Sequence, residues 1–202
     1  MNSLLLESTL INDVDNIKFA IENGADVNCG NEYDITPLCT AIIKGFTQAV
    51  IMLIQANADI NLTRNNWMSP LHLASYHGDY AIVNLLIQQG VDINKKRRDG
   101  ATAIYFATEH MHNDIVGLLI DNGADVNVTQ YWMGTPLYIA CFRGYENIVK
   151  QLIMANANIN QVINGRWSPL IIAKEMHRDS IVRILEAKLL MGNNYTLTYL
   201  HT

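Results

Sequence analysis

Thr36-Pro37-Leu38-Cys39, Ser69-Pro70-Leu71-His72, Thr102-Ala103-Ile104-Tyr105, Thr135-Pro136-Leu137-Tyr138 and Ser168-Pro169-Leu170-Ile171 stand 33 residues apart along a chain of 202 residues. A hydroxyl residue, then proline, then an apolar run is a helix start. The hydroxyl caps the free N–H groups of the first turn, and proline suits the first helical position because its missing donor has no partner there. All four prolines of the protein hold this place. Five residues after each cap comes Ala41, Ala74, Ala107, Ala140 or Ala173, small enough for a neighbouring helix to approach closely. Gly45, Gly78 and Gly144 follow nine residues after the cap, where a left-handed glycine ends a short helix. Met111 and His177 replace that glycine in two copies, which makes those turns less relaxed.

Outward from each cap the spacing predicts a second helix. Val50, Val83, Val116, Val149 and Val182 keep one phase; Leu53, Leu86, Leu119, Leu152 and Leu185 follow three residues later, with Ile54, Ile87, Ile120 and Ile153 beside them. Apolar residues at i, i+3 and i+4 make one buried stripe on a helix of about ten residues. A second series keeps the same register: Gly24-Ala25-Asp26-Val27-Asn28 is echoed at residues 57–61, 90–94, 123–127 and 156–160. Two series in one register define a tandem repeat. Each helix pair buries too little by itself, so copies must stack side by side to build a core.

These residues resemble the ankyrin repeat family, whose pattern is Thr-Pro-Leu-His-x-Ala near the start of a unit and Gly-Ala-Asp-Val-Asn near its end. The likeness covers about nine tenths of the chain. It implies an all-α repeat solenoid: an array of about six 33-residue helix-turn-helix units with protruding β-hairpin or loop fingers. The ankyrin domain spans residues 1–191, with units at 1–30, 31–63, 64–96, 97–129, 130–162 and 163–191; residues 192–202 form a tail. The first unit, which lacks the cap and finger, reads as an N-terminal capping unit. The last keeps Ile171, Ile172, Ile181, Ile184, Leu185, Leu189 and Leu190 where a polar end is expected, so the tail is expected to fold back over it.

Composition narrows the function. Half the residues are hydrophobic, ample for a core, and no apolar run reaches the length that crosses a bilayer. The N-terminal stretch has no basic n-region and is interrupted by Glu7, which argues against a signal peptide. The three cysteines, Cys29, Cys39 and Cys141, fit no metal spacing and read as free thiols in a reducing compartment. A cytoplasmic protein is expected, with the nucleus or a host cytosol reached by secretion as alternatives. A formal charge of −5 disfavours general nucleic-acid binding.

No catalytic, metal or cofactor site is expected. His72, at the fourth position of a cap tetrapeptide, reads as a brace between neighbouring loops. His110, His112 and Asp114 suggest a metal only superficially, because histidines two apart on a helix point away from one another. Lys95-Lys96-Arg97-Arg98 reads as a solvated finger tip rather than a nuclear signal.

The family resemblance implies recognition of another protein in a concave groove lined by fingers and first helices. Partners are held there by residues just before each cap and by those seven and eight after it. Carried across, these positions give Tyr33, Ile43, Lys44, Trp67, Met68, Tyr76, His77, Arg98, Glu109, His110, Tyr131, Trp132, Phe142, Arg143 and Trp167. Every tryptophan falls in a finger just before a cap, where exposure as an interface anchor is expected. Packing against the next finger is the plainer alternative for any one ring.

Lys44, His77, His110 and Arg143 share one offset and form a basic row. The expected partner is therefore a protein segment bearing acidic and apolar side chains, bound by a monomer acting as adaptor, scaffold or inhibitor. Binding should weaken at high salt and strengthen in mild acid as the histidines charge. The alternative is nucleotide or RNA binding by groove aromatics and the basic row. Asn61, Asn94, Asn127 and Asn160 have the context in which ankyrin asparagines are hydroxylated, although a turn requirement explains the same residues.

Overall fold

The computed structural model describes residues 1–63, 68–131 and 134–198, with side chains as far as residue 190. Twelve α-helices form among them, two per repeat, and the chain divides into two compact units, Met1–Ala124 and Asp125–Thr202. The first unit holds α1 (Asn2–Leu10) with α2 (Val14–Glu22), α3 (Pro37–Lys44) with α4 (Thr47–Gln55), α5 (Pro70–His77) with α6 (Tyr80–Gln88), and α7 (Ala103–Glu109) with α8 (Asn113–Asp121). The second holds α9 (Pro136–Arg143) with α10 (Glu146–Met154), and α11 (Pro169–Glu175) with α12 (Asp179–Thr198).

The helix starts follow the cap chemistry. The hydroxyls of Thr36, Thr135 and Ser168 accept the N–H of Cys39, Tyr138 and Ile171 at 3.2 Å each, and Ser69 accepts that of His72 at 3.4 Å. Thr102, followed by alanine instead of proline, makes no such bond. The helix ends are equally local. Gly45, Gly78 and Gly144 take the left-handed conformation, and Met111 (φ 62°) and His177 (φ 53°) adopt it without glycine's freedom.

Helices of seven to nine residues do not persist alone in water. Packing supplies what is missing. In the first unit α1, α3, α5 and α7 pack in sequence, as do α2, α4, α6 and α8; in the second, α9 packs on α11 and α10 on α12. Ala41, Ala74, Ala107, Ala140 and Ala173 are all fully buried, as are Val50, Val83, Val116 and Val149 and Leu53, Leu86, Leu119 and Leu152. Each buried Val or Leu contributes roughly 1.5–3 kcal/mol relative to exposure, so the regular stripe carries the core.

The Gly-Ala-Asp-Val-Asn series links one repeat to the next. Within a turn the aspartate accepts the asparagine's N–H, as from Asn28 to Asp26 at 2.9 Å. The asparagine side chain then accepts from the following repeat. Asn28 Oδ1 takes the Asp59 N–H at 2.8 Å and Asn61 Oδ1 that of Asp92 at 2.9 Å; in the second unit Asn127 Oδ1 takes that of Asn158 at 2.7 Å.

The fingers are shorter than β-hairpins. Among the described residues there is no strand, only the isolated antiparallel bridges Gln130 with Gly134 and Ile163 with Trp167. In the first unit the loops close through Asn31 N–H to Ile35 O at 3.0 Å and Arg97 N–H to Ala101 O at 2.8 Å. Left-handed residues stand near the tips, at Asp34, Gly100 and Asn164.

The last repeat corrects one expectation. Its α12 continues as helix to Thr198, so residues 192–198 run on along the helix and do not turn back over the end. That end keeps exposed apolar side chains, Ile171 at 45% and Leu190 at 67%, beside a polar pair. Ile42, Ser75, Thr108 and Cys141 are buried at one register position, and the last copy there is the exposed Lys174. Its ammonium meets Glu186 at 2.8 Å, and Glu186 stands where α10 has the buried Ile153.

Candidate functional site

The C-terminal ends of the first helices and the loops meet on one face of each unit. In the first unit Ile43 and Tyr76 are 38% and 40% exposed, and Lys44 and His77 beside them are exposed. The N-terminal repeat extends this row. α1 lies one repeat before α3, and its Leu10 and Ile11, at the register of Ile43 and Lys44, are 53% and 71% exposed. Sequence reading missed them because the first repeat has no Thr-Pro cap from which to count; Asn12, left-handed like Gly45, carries the register.

Next along the row, the Tyr76 ring lies tilted against His110 at 4.1 Å, and it also meets His77 at 5.1 Å and Phe106 at 6.3 Å. The Arg97 guanidinium lies 5.0 Å from the Phe106 ring and bonds Asp99, its Nε donating at 2.9 Å. Arg97 is thus folded onto the helix face rather than solvated at a finger tip. Lys96 and Arg98 remain exposed, and Glu109 is half-buried, 3.9 Å from His110.

His110 and His112 were expected on one helix, pointing apart. They instead flank the turn between α7 and α8, at the C-cap of one and the N-cap of the other, and their rings stack 6.2 Å apart. His112 Nε2 donates to the Tyr76 carbonyl at 3.1 Å, and its ring lies over Gly78, where a Cβ would meet it at 2.3 Å. That histidine braces the turn after α5. Among the described residues no group of three or more His, Cys, Asp or Glu side chains has a metal-holding arrangement.

His72 braces loops as expected. Its Nδ1 accepts the Ser69 N–H at 3.1 Å, and Nε2 donates to the Lys95 carbonyl of the next loop at 2.8 Å. Burial lowers its pKa to about 4, with nearby Arg97 and Lys95 adding to the effect and the Lys95 hydrogen bond opposing it.

Between the first two described loops, Ile35, Cys39, Ile43, Met68 and Leu73 line a crevice of only ≈ 20 Å³. That is room for about one water, too little to admit an apolar side chain. Tyr33, 64% exposed, stands at the loop tip, and Met68 is half-buried in the crevice wall. Trp67 lies outside the described residues.

In the second unit Tyr131 is 68% exposed, Arg143 is exposed and its guanidinium lies 5.8 Å from the half-buried Phe142 ring. Trp132 lies outside the described residues. Trp167 departs from the expectation of exposure. It is half-buried, its backbone bridges to Ile163, and the Arg166 guanidinium covers its ring at 4.4 Å.

Asn61 and Asn127 spend their side-chain oxygens on the following repeat, and Asn94 donates to the Gly123 carbonyl at 3.0 Å. Asn160 N–H donates to Asn158 Oδ1 at 3.0 Å. The turn accounts for the asparagines in the motif.

A family model described as ankyrin repeats (3 copies) matches residues 5–97, 53–130 and 71–163. The chain belongs to the ankyrin repeat family. Ankyrin repeats generally serve as protein–protein interaction modules and are typically non-catalytic. No curated protein matches this ankyrin chain. No helix among its described residues is long and apolar enough to cross a membrane.

Proposed function

We propose that this ankyrin protein is a non-catalytic adaptor, scaffold or inhibitor that holds a partner protein against the face built by the C-terminal ends of its first helices. One observation carries the reading: Leu10, Ile43 and Tyr76 are exposed at matching positions on three adjacent helices of the first unit, with the exposed Ile11 following Leu10. A row of exposed apolar side chains on a rigid frame costs solubility in isolation and loses little ordering entropy on binding.

Lys44 has no ion pair among the described residues, and it stands beside Ile43 with His77 one helix further on. An acidic side chain among apolar ones in the partner satisfies that arrangement. The protein acts as a monomer in a reducing compartment, in keeping with three buried free thiols. The test is affinity capture from cell lysate with wild type and an Ile43→Asp, Tyr76→Ala variant of unchanged circular dichroism. A protein retained by wild type and lost by the variant supports the reading; equal recovery on both refutes this face as the site.

A further inference from the structure

At the α1 end of the same face the chemistry changes sign. Ser3, Leu6, Glu7 and Leu10 of α1, with Asn31 and Glu32 of the first loop, line an open cleft of ≈ 350 Å³. Glu7 and Glu32 are both exposed, and among the described residues neither has an ion-pair partner. The cleft is large enough for a long side chain. Its apolar wall, Leu6 and Leu10, suits the methylene stem of lysine or arginine, while the two carboxylates suit the charged head.

We propose that the partner segment carries a lysine or arginine that lies in this cleft between Glu7 and Glu32. Its apolar side chains cross Ile43 and Tyr76, and its acidic group sits on the Lys44 side. This rests on the reading that the face binds a protein, and it adds the direction of the bound segment. Carboxylates at α1 and an ammonium at α3, ahead of Tyr76 on α5, are a polarity that only one orientation of a segment satisfies when its basic group leads and its acidic group stands beside the first of its apolar side chains. The reversed segment would set like charges against each other at both places. Adjacent helices stand roughly 10 Å apart, so a segment reaching from the cleft to Tyr76 spans about 20 Å, which some six extended residues cover.

A displayed random library of about 12-residue peptides is therefore long enough to read the whole site. It is panned on the full chain, and a synthetic peptide of the enriched consensus is titrated against wild type, Glu7→Lys/Glu32→Lys and Ile43→Asp/Tyr76→Ala, each checked by circular dichroism. The expected consensus holds a lysine or arginine beside apolar residues, and its peptide binds both variants about tenfold or more weakly. Replacing that basic residue by glutamine should weaken binding to wild type but cause little further loss on the charge-reversed protein. A consensus without a basic residue, bound equally by wild type and Glu7→Lys/Glu32→Lys but lost on Ile43→Asp/Tyr76→Ala, overturns this proposal and leaves the binding face standing. Peptides bound equally by all three proteins, or no enrichment at all, overturn both.

Discussion

His72 shows how one residue couples two repeats. Its ring is 2% exposed and takes part in two hydrogen bonds, one closing its own helix cap and one reaching the next loop. Only the neutral ring offers an acceptor to Ser69, and burial holds its pKa at about 4 against an ordinary value near 6.5. The unfolded chain therefore binds more protons than the folded one between these values. Stability from this group is full above pH 6.5 and falls as the pH drops toward 4, by up to about 3 kcal/mol. Urea titrations across that range should show the loss. In His72→Gln this slope should flatten, with a cost of about 2 kcal/mol at pH 7 from the two impaired bonds. A slope of equal size in the variant would assign the acid sensitivity elsewhere. Cys141 is a second buried group: burial pushes its thiol pKa up to about 12, and burial likewise raises that of Cys39. Their packed surroundings leave both as core residues instead of nucleophiles.

The caps and stripes of the elements were legible from spacing alone, because a helix start, a left-handed stop and an i, i+3, i+4 stripe are properties of short segments. The end of the array was not. Ile171, Ile184 and Leu190 suggested an apolar face in need of a cover, whereas Lys174 and Glu186 occupy the positions that face a neighbour in the earlier repeats. An exposed ion pair of this kind contributes well under about 1 kcal/mol to stability. Charges at these positions disfavour the stacking of another copy on this end. Lys174→Ile with Glu186→Ile should accordingly leave the melting temperature nearly unchanged or raised and make the protein self-associate. Sedimentation velocity checks this, and a monomeric double variant at high concentration would discard the capping role.

For the whole molecule, a formal charge of −5 sets the long-range field. That field works against an RNA partner in spite of Lys96, Arg98 and the adjoining rings of Tyr76 and His110. Electrophoretic mobility with single-stranded RNA at physiological salt should show no complex. A shift that fades steeply with added salt would instead revive base stacking on these rings. The family, the helix pairs and their register follow from the amino-acid order, since each repeat states the same local instructions: cap, small residue, stop, apolar stripe and Asp-Val-Asn turn. His72's brace followed from the ankyrin resemblance, although the other copies carry Cys39, Tyr105, Tyr138 and Ile171 there. Exposure and partnership were settled in three dimensions. Leu10 and Ile11 join the exposed row only because α1 stacks in register on α3. His110 and His112 came together across a turn, Arg97 folded onto Phe106, and Trp167 was covered by Arg166. Local patterns select backbone conformation because their energies act within a few residues. Which side chains remain free for a partner depends on contacts between residues that only stacking brings together.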